Sequence, residues 1–136
     1  MRRATYDILI ADDNPIYVKT LGLLIKTILG DRLTKLDVAC NGKIAVDKAL
    51  NIRYDIIFMD ISMPEMDGIS ATRLINKERY RDTLIIAVTY DKTFHSLNLM
   101  LQSGARKIIY KDDLTMESLA EVFDSRKDII DSQDYF

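Results

Sequence analysis

The chain has 136 residues, is 48% hydrophobic, carries a formal net charge of −2 and has a single cysteine. That length fits one domain with a real core. The slightly acidic balance argues against a nucleic-acid-binding face, and Cys40 alone allows neither an internal disulfide nor a cysteine pair for a metal.

"MRRATYDILIADD" meets charge after a few apolar residues, which is not the pattern of a signal peptide. "YDILIA" (6–11) reads as the first strand. After it, Asn14 and Pro15 suit an N-cap and first helical position, and Val18, Leu21, Ile25 and Ile28 or Leu29 recur at helical spacing until Gly30. "KLDVA" (35–39) is the second strand and "KIAVDKAL" (43–50) the second helix. "DIIFMD" (55–60) and "ISATRLINK" (69–77) give the third pair, "LIIAVT" (84–89) and "KTFHSLNLMLQS" (92–103) the fourth, with Gly104 as the stop. "KIIY" (107–110) and "TMESLAEVFDSR" (115–126) give the fifth. In the last helix Thr115 and Ser118 form a partial capping box, and Leu119, Val122 and Phe123 an apolar stripe.

Strands that are almost continuously apolar are buried on both faces, as in parallel sheets. Strand and helix alternating five times predict an α/β domain with right-handed crossovers and helices on both sides of the sheet. The expected domain covers residues 1–126. "DIIDSQDYF" is acidic and lacks helical periodicity, so 127–136 reads as a tail or the start of a linker. "DIIFM" and "LIIAV" are too short to span a bilayer, and the expected location is the cytoplasm.

Sites in open α/β sheets form beyond the carboxyl ends of the strands. Here the first strand runs into Asp12-Asp13, the third ends in Asp60, the fourth in Thr89, and the fifth runs into Lys111. Each residue alone has an ordinary explanation as a cap, a strand-end hydroxyl or a surface lysine. Together they do not: three nearby carboxylates repel one another unless a cation intervenes. Oxygen ligands without a neighbouring cysteine or histidine suit Mg²⁺. A phosphoryl group explains the hydroxyl and the amine as well. An aspartate can be the nucleophile, and the equatorial oxygens need neutralising.

"IADDN" (10–14), "MDISMPEMDG" (59–68), "AVT" (87–89) and "SGARKIIYK" (103–111) resemble the motifs of the response-regulator receiver domain of two-component signalling, over roughly residues 6–126. The resemblance implies a flavodoxin-like (βα)5 doubly wound sandwich with a five-stranded parallel sheet of order 2-1-3-4-5. It implies Asp60 as phosphoacceptor and a Mg²⁺ site made by Asp12, Asp13, Asp60 and the backbone carbonyl of Ser62, with Asp13 the more direct of the acidic pair. Thr89 matches the switch hydroxyl, Lys111 the phosphate-binding lysine, and Pro64 and Gly68 shape the loop. The implied function is phosphorelay signalling. A histidine kinase or phosphotransfer protein would donate the phosphoryl group. The face of the fourth helix, fifth strand and fifth helix would then control an output partner or domain, or a homodimer. No enzymatic activity beyond phosphotransfer and autodephosphorylation is implied.

The sequence departs from the family pattern in three places. Tyr90 stands where a small residue is usual, and its ring is expected to shield the acyl phosphate or hinder the phosphodonor. Ile108 stands where an aromatic switch residue is common. Asp112-Asp113 follow Lys111 in place of proline, as in receivers that precede helix-turn-helix output domains. Three other functions compete. A phosphatase with an aspartate nucleophile would want a second aspartate where Ser62 stands. A flavin carrier would not place "ADDNP" in its phosphate loop. A degenerate receiver would act as a phosphorylation-independent interaction module.

Overall fold

The computed structural model describes residues 4–78 and 82–133. Five strands alternate with five helices: β1 (Tyr6–Ala11), α1 (Pro15–Leu29), β2 (Leu33–Ala39), α2 (Gly42–Asn51), β3 (Ile56–Met59), α3 (Gly68–Glu78), β4 (Leu84–Thr89), α4 (Phe94–Ser103), β5 (Lys107–Tyr110) and α5 (Met116–Gln133). All pairings are parallel and the sheet order is β2-β1-β3-β4-β5, as the resemblance implied.

Strand alternation divides the core in two. Tyr6, Ile8, Ile10, Ile56, Phe58, Ile86, Val88 and Ile109 face Leu21, Ile25 and Leu29 of α1 and Leu119, Val122 and Phe123 of α5. Leu9, Ala11, Ile57, Met59, Ile85 and Ala87 face α2, α3 and α4 through Ala45, Val46, Ala49, Ala71, Ile75 and Met100. Apart from Asp7 of β1 and Thr89 of β4, the inner strands β1, β3 and β4 are apolar, because both faces are covered.

The caps follow the sequence chemistry. Asn14 Oδ1 accepts from Ile16 N–H at 3.0 Å and Tyr17 N–H at 3.2 Å, ahead of Pro15. Gly30 ends α1 with φ 53°, a left-handed conformation that a side chain disfavours. At α5, Ser118 N–H donates to Thr115 Oγ1 at 3.1 Å and Thr115 N–H to Ser118 Oγ at 2.9 Å. The partial box is therefore reciprocal, with serine in the role usually taken by Glu or Gln.

Three boundaries differ from expectation by two residues or more. β2 begins at Leu33, ahead of "KLDVA". α4 begins at Phe94 because Thr93 is its cap: Thr93 Oγ1 accepts from Ser96 N–H at 3.4 Å, and Asp91 Oδ1 accepts from Thr93 N–H at 2.9 Å. α5 continues past Arg126 to Gln133, where the sequence suggested a tail without helical periodicity. No glycine or proline interrupts 116–133, so nothing in the backbone chemistry stops the helix. Residues 134–136 of that stretch lie outside the described residues.

Candidate functional site

Strand register brings the acids together before any side chain is considered. Ala11 pairs with Ala39 on one side and Met59 on the other. The next residues continue the ladder: Asp12 N–H donates to Ala39 O at 3.0 Å, and Asp60 N–H to Ala11 O at 2.9 Å. Asp12 and Asp60 thus leave adjacent strands side by side. Asp12, Asp13 and Asp60 each offer a carboxylate oxygen within 4.8 Å of the others. Asp12 and Asp60 are buried, at 4% and 7% exposure, and Asp13 is exposed.

Lys111 is the cation that reaches them. It opens the 3₁₀ turn Lys111–Asp113 that follows β5. Its Nζ is 2.7 Å from Asp12 Oδ2 and 3.4 Å from Asp60 Oδ2, with both partners buried. Asp12 Oδ1 accepts from Asn14 N–H at 2.9 Å, so both oxygens of that carboxylate are engaged. One ammonium does not offset three carboxylates. Burial pushes the Asp60 carboxyl up to about 6, the Asp12 charge adds to the rise, Lys111 pulls downward without cancelling it, and Asp13 adds a smaller push. The donor set therefore fits a hard divalent cation: oxygen ligands converge there with negative charge left uncompensated. Asp13 on the open side and Asp60 at the centre would hold such an ion, with Asp12 tied to Lys111.

The loop after Asp60 folds back on itself. Gly68 N–H donates to Ile61 O at 2.7 Å, and a Cβ at Gly68 would lie 1.9 Å from Asp60 O. Only glycine fits, because of this close approach and not because of an unusual exit angle. The strain lies elsewhere. Glu65 has φ 65°, and Met66 N–H donates to Pro64 O at 2.7 Å, a γ-turn centred on a non-glycine residue. Ser62 is exposed in this loop.

Thr89 ends β4 and is 1% exposed. Its Oγ1 accepts from Asp91 N–H at 3.0 Å. Asp91 Oδ1 also accepts from Thr93 N–H and from the Thr93 hydroxyl, at 2.9 and 2.7 Å, and Thr93 caps α4. A hydrogen-bonded path thus joins the strand-end hydroxyl to the start of a helix. Lys92 of the same loop binds Asp112 at 2.8 Å and lies over the Tyr110 ring at 5.2 Å, which ties the loop to the end of β5. Ile108 packs against the core on the α4 side and Ile109 on the α1/α5 side. Strand alternation then directs Tyr110 toward α4 and Lys111 toward α1.

Two aromatic residues complete the site. The Tyr90 ring, 61% exposed, lies with its centroid 5.2 Å from Lys111 Nζ. Tyr17, which the sequence motifs did not single out, lies 4.6 Å from the same nitrogen and packs edge-on against Tyr90 at 6.5 Å. An aromatic residue three positions after the cap that follows an acidic pair was the available signal.

The profile of the response regulator receiver domain matches residues 8–123. The chain belongs to the receiver domain family. This receiver is 37% identical over 118 residues to the transcriptional regulatory protein YdfI of Bacillus subtilis, a match covering 87% of this chain and 53% of YdfI. The chain thus spans about half the length of that relative. Among solved structures it is similar to the receiver domain of the sensor histidine kinase PA1611 from Pseudomonas aeruginosa PAO1, which holds a magnesium ion coordinated in its active site cleft. The identity is 28%, the TM-score 0.77, and the match covers 88% of this chain and 95% of the other. It is also similar, at 27% identity and TM-score 0.76, to a chain of the CheX-CheY-BeF3-Mg²⁺ complex from Borrelia burgdorferi, covering 87% of this chain and 86% of that one. Receiver domains serve two-component signalling in response regulators and in histidine kinases, and the domain itself is regulatory. Among the described residues no helix is long and apolar enough to cross a membrane.

Proposed function

We propose that this receiver accepts a phosphoryl group on Asp60 from a phosphohistidine of a sensor kinase or phosphotransfer protein, and that it relays the change through Thr89 and Lys111 to the face formed by α4, β5 and α5. The observation that carries the reading is the bridge of Lys111 between the buried Asp12 and Asp60, with Asp13 beside them on the open side. Such a cluster costs stability unless it has work to do.

In the transfer, an Asp60 carboxylate oxygen forms the new O–P bond as the N–P bond breaks, and the imidazole keeps the electron pair and takes a proton. Mg²⁺, bound through Asp13, Asp60 and by family resemblance the Ser62 carbonyl, would neutralise oxygens of the group in flight. Lys111 is already within reach of Asp60 and takes a second oxygen. Thr89 takes a third, and in doing so draws on the Asp91–Thr93 path to α4.

Magnitudes allow a switch, with little to spare. Charge-assisted hydrogen bonds contribute about 1.5–3 kcal/mol each, so two supply roughly 3–6 kcal/mol. Moving an equilibrium from 1:99 to 99:1 takes about 5.5 kcal/mol. The α4 face must therefore start close to balance, and its exposed Phe94 and Leu101 suit a surface whose affinity for an output partner, or for a second copy, is being adjusted. On this reading residues 1–126 form the receiver, in the cytoplasm, with 127–136 a tail or the start of a linker.

Incubation with Mg²⁺ and acetyl phosphate should add one phosphoryl group, detected by intact-protein mass, and Asp60→Asn should abolish it. A modification that survives Asp60→Asn, or no modification at all, would leave the alternative of an interaction module that works without phosphate.

A further inference from the structure

Tyr17 has no part in the phosphoryl transfer proposed at Asp60, yet its ring is among the groups nearest the buried ammonium. Asn14 caps α1 through the N–H groups of Ile16 and Tyr17, which fixes Tyr17 in the first turn, directly after the acidic pair. Lys111 Nζ is 4.6 Å from the Tyr17 ring centroid and 5.2 Å from that of Tyr90, while it is 2.7 Å from Asp12 Oδ2 and 3.4 Å from Asp60 Oδ2. The ammonium is thus held by two aromatic faces together with two carboxylates, an arrangement favourable to a desolvated cation.

The hydroxyl is the informative part. Tyr17 Oη is buried and has no hydrogen-bond partner among the described residues. A buried phenol normally finds a partner, and an orphaned one calls for an explanation. Packing explains the ring, which lies against the α1/α5 side of the core, but it does not explain the unpaired hydroxyl. Burial, Tyr90 and the charges of Asp12 and Asp60 all raise its pKa, so it remains a protonated donor at neutral pH, and the two aspartates are close enough to act on it. A phosphoryl group on Asp60 would add acceptor oxygens that extend beyond the carboxylate.

We infer that Tyr17 is a further phosphoryl-binding residue: its hydroxyl donates to an oxygen of the group on Asp60, and its ring, with Tyr90, positions the Lys111 ammonium for another. This rests on Asp60 being the phosphoacceptor.

Beryllofluoride with Mg²⁺ is the probe, titrated against the full chain and followed by NMR. Tyr17→Phe keeps the ring and loses only the donor. It should bind beryllofluoride about tenfold more weakly, the effect of one hydrogen bond to a charged acceptor. Tyr17→Leu removes the ring as well and should lose at least as much. The unfolding midpoint of Tyr17→Phe without beryllofluoride should match wild type. A Tyr17→Phe affinity equal to wild type would overturn the inference, as would a lowered midpoint with affinity unchanged, which marks a purely structural hydroxyl. Wild-type protein that takes up no beryllofluoride would instead refute Asp60 as phosphoacceptor, and this inference with it.

Discussion

Tyr54 and Tyr17 are two tyrosines set near aspartates in different parts of the molecule, and their surroundings treat them in opposite ways. Tyr54 precedes β3, is 1% exposed, and donates its hydroxyl to Asp37 Oδ2 on β2 at 2.5 Å. Tyr17 lies over the carboxyl ends of β1 and β3 with its hydroxyl buried and unpaired. Both phenols are pushed above their ordinary pKa, chiefly by burial. At Tyr54 the bond to Asp37 reinforces the rise, and the polar groups satisfy each other. Around Tyr17 the polar groups outnumber the bonds available: two of the three carboxylates share one ammonium, and the third, Asp13, lies beside them. Around Tyr54 the polar groups are paired, whereas beside the acids and Lys111 a buried hydroxyl is left waiting.

The largest test of that contrast is at Lys111. Lys111→Met leaves Asp12 and Asp60 buried without their cation, and should destabilise the metal-free protein by about 3–5 kcal/mol in urea unfolding. Saturating Mg²⁺ should restore part of the loss. A cost below 1 kcal/mol would mean that the site is not strained by its own charge.

Next comes pH. The folded-state pKa of Asp60 is raised from 3.8 to about 6, so the folded state binds the proton more tightly than the unfolded chain does. Its contribution to stability is present in full below 3.8 and is lost as pH rises through about 6. The difference of roughly two pKa units is worth about 3 kcal/mol at 1.36 kcal/mol per unit. Metal-free wild type should lose stability across this window, and Asp60→Asn should be flatter there and more stable at pH 7. Parallel pH profiles for the two proteins would contradict the assigned strain.

The smallest and sharpest comparison is between the tyrosines themselves. Tyr54→Phe should cost about 1–2 kcal/mol, because it breaks a buried bond and strands Asp37. Tyr17→Phe should change resting stability by less than about 0.5 kcal/mol, since no bond is lost. Equal costs, measured by thermal unfolding, would erase the distinction between the two regions.

Much of this was legible beforehand, for identifiable reasons. Three of the five strand runs are almost continuously apolar, as strands buried on both faces read, and helical spacing lies between the runs, so the strand centres and all five helices are readable from pattern. Asn14, Pro15, Gly30 and Gly104 marked helix ends through backbone chemistry that is local. α5 was the exception, because charged residues do not stop a helix and the absence of an apolar stripe says nothing about the backbone. From the sequence, Gly68 is legible only as a residue that shapes the loop. The close approach of its Cα to the Asp60 carbonyl depends on a loop closure that no single residue encodes, and so does the strained conformation at Glu65.

By itself the sequence determined the α/β class, the strand ends at which Asp12, Asp13, Asp60, Thr89 and Lys111 stand, and, through its motifs, the receiver family. These follow from period, polarity and spacing, which are properties of short segments. Only the tertiary structure decided that Lys111 bridges Asp12 and Asp60, that Thr89 is tied to the α4 cap, and that Tyr17 belongs to the site. The first and the last of those relations join residues far apart in the chain and exist only once β1, β3 and β5 are in one sheet with α1 packed on its face; the second spans four residues but depends on side-chain geometry that period and polarity do not encode.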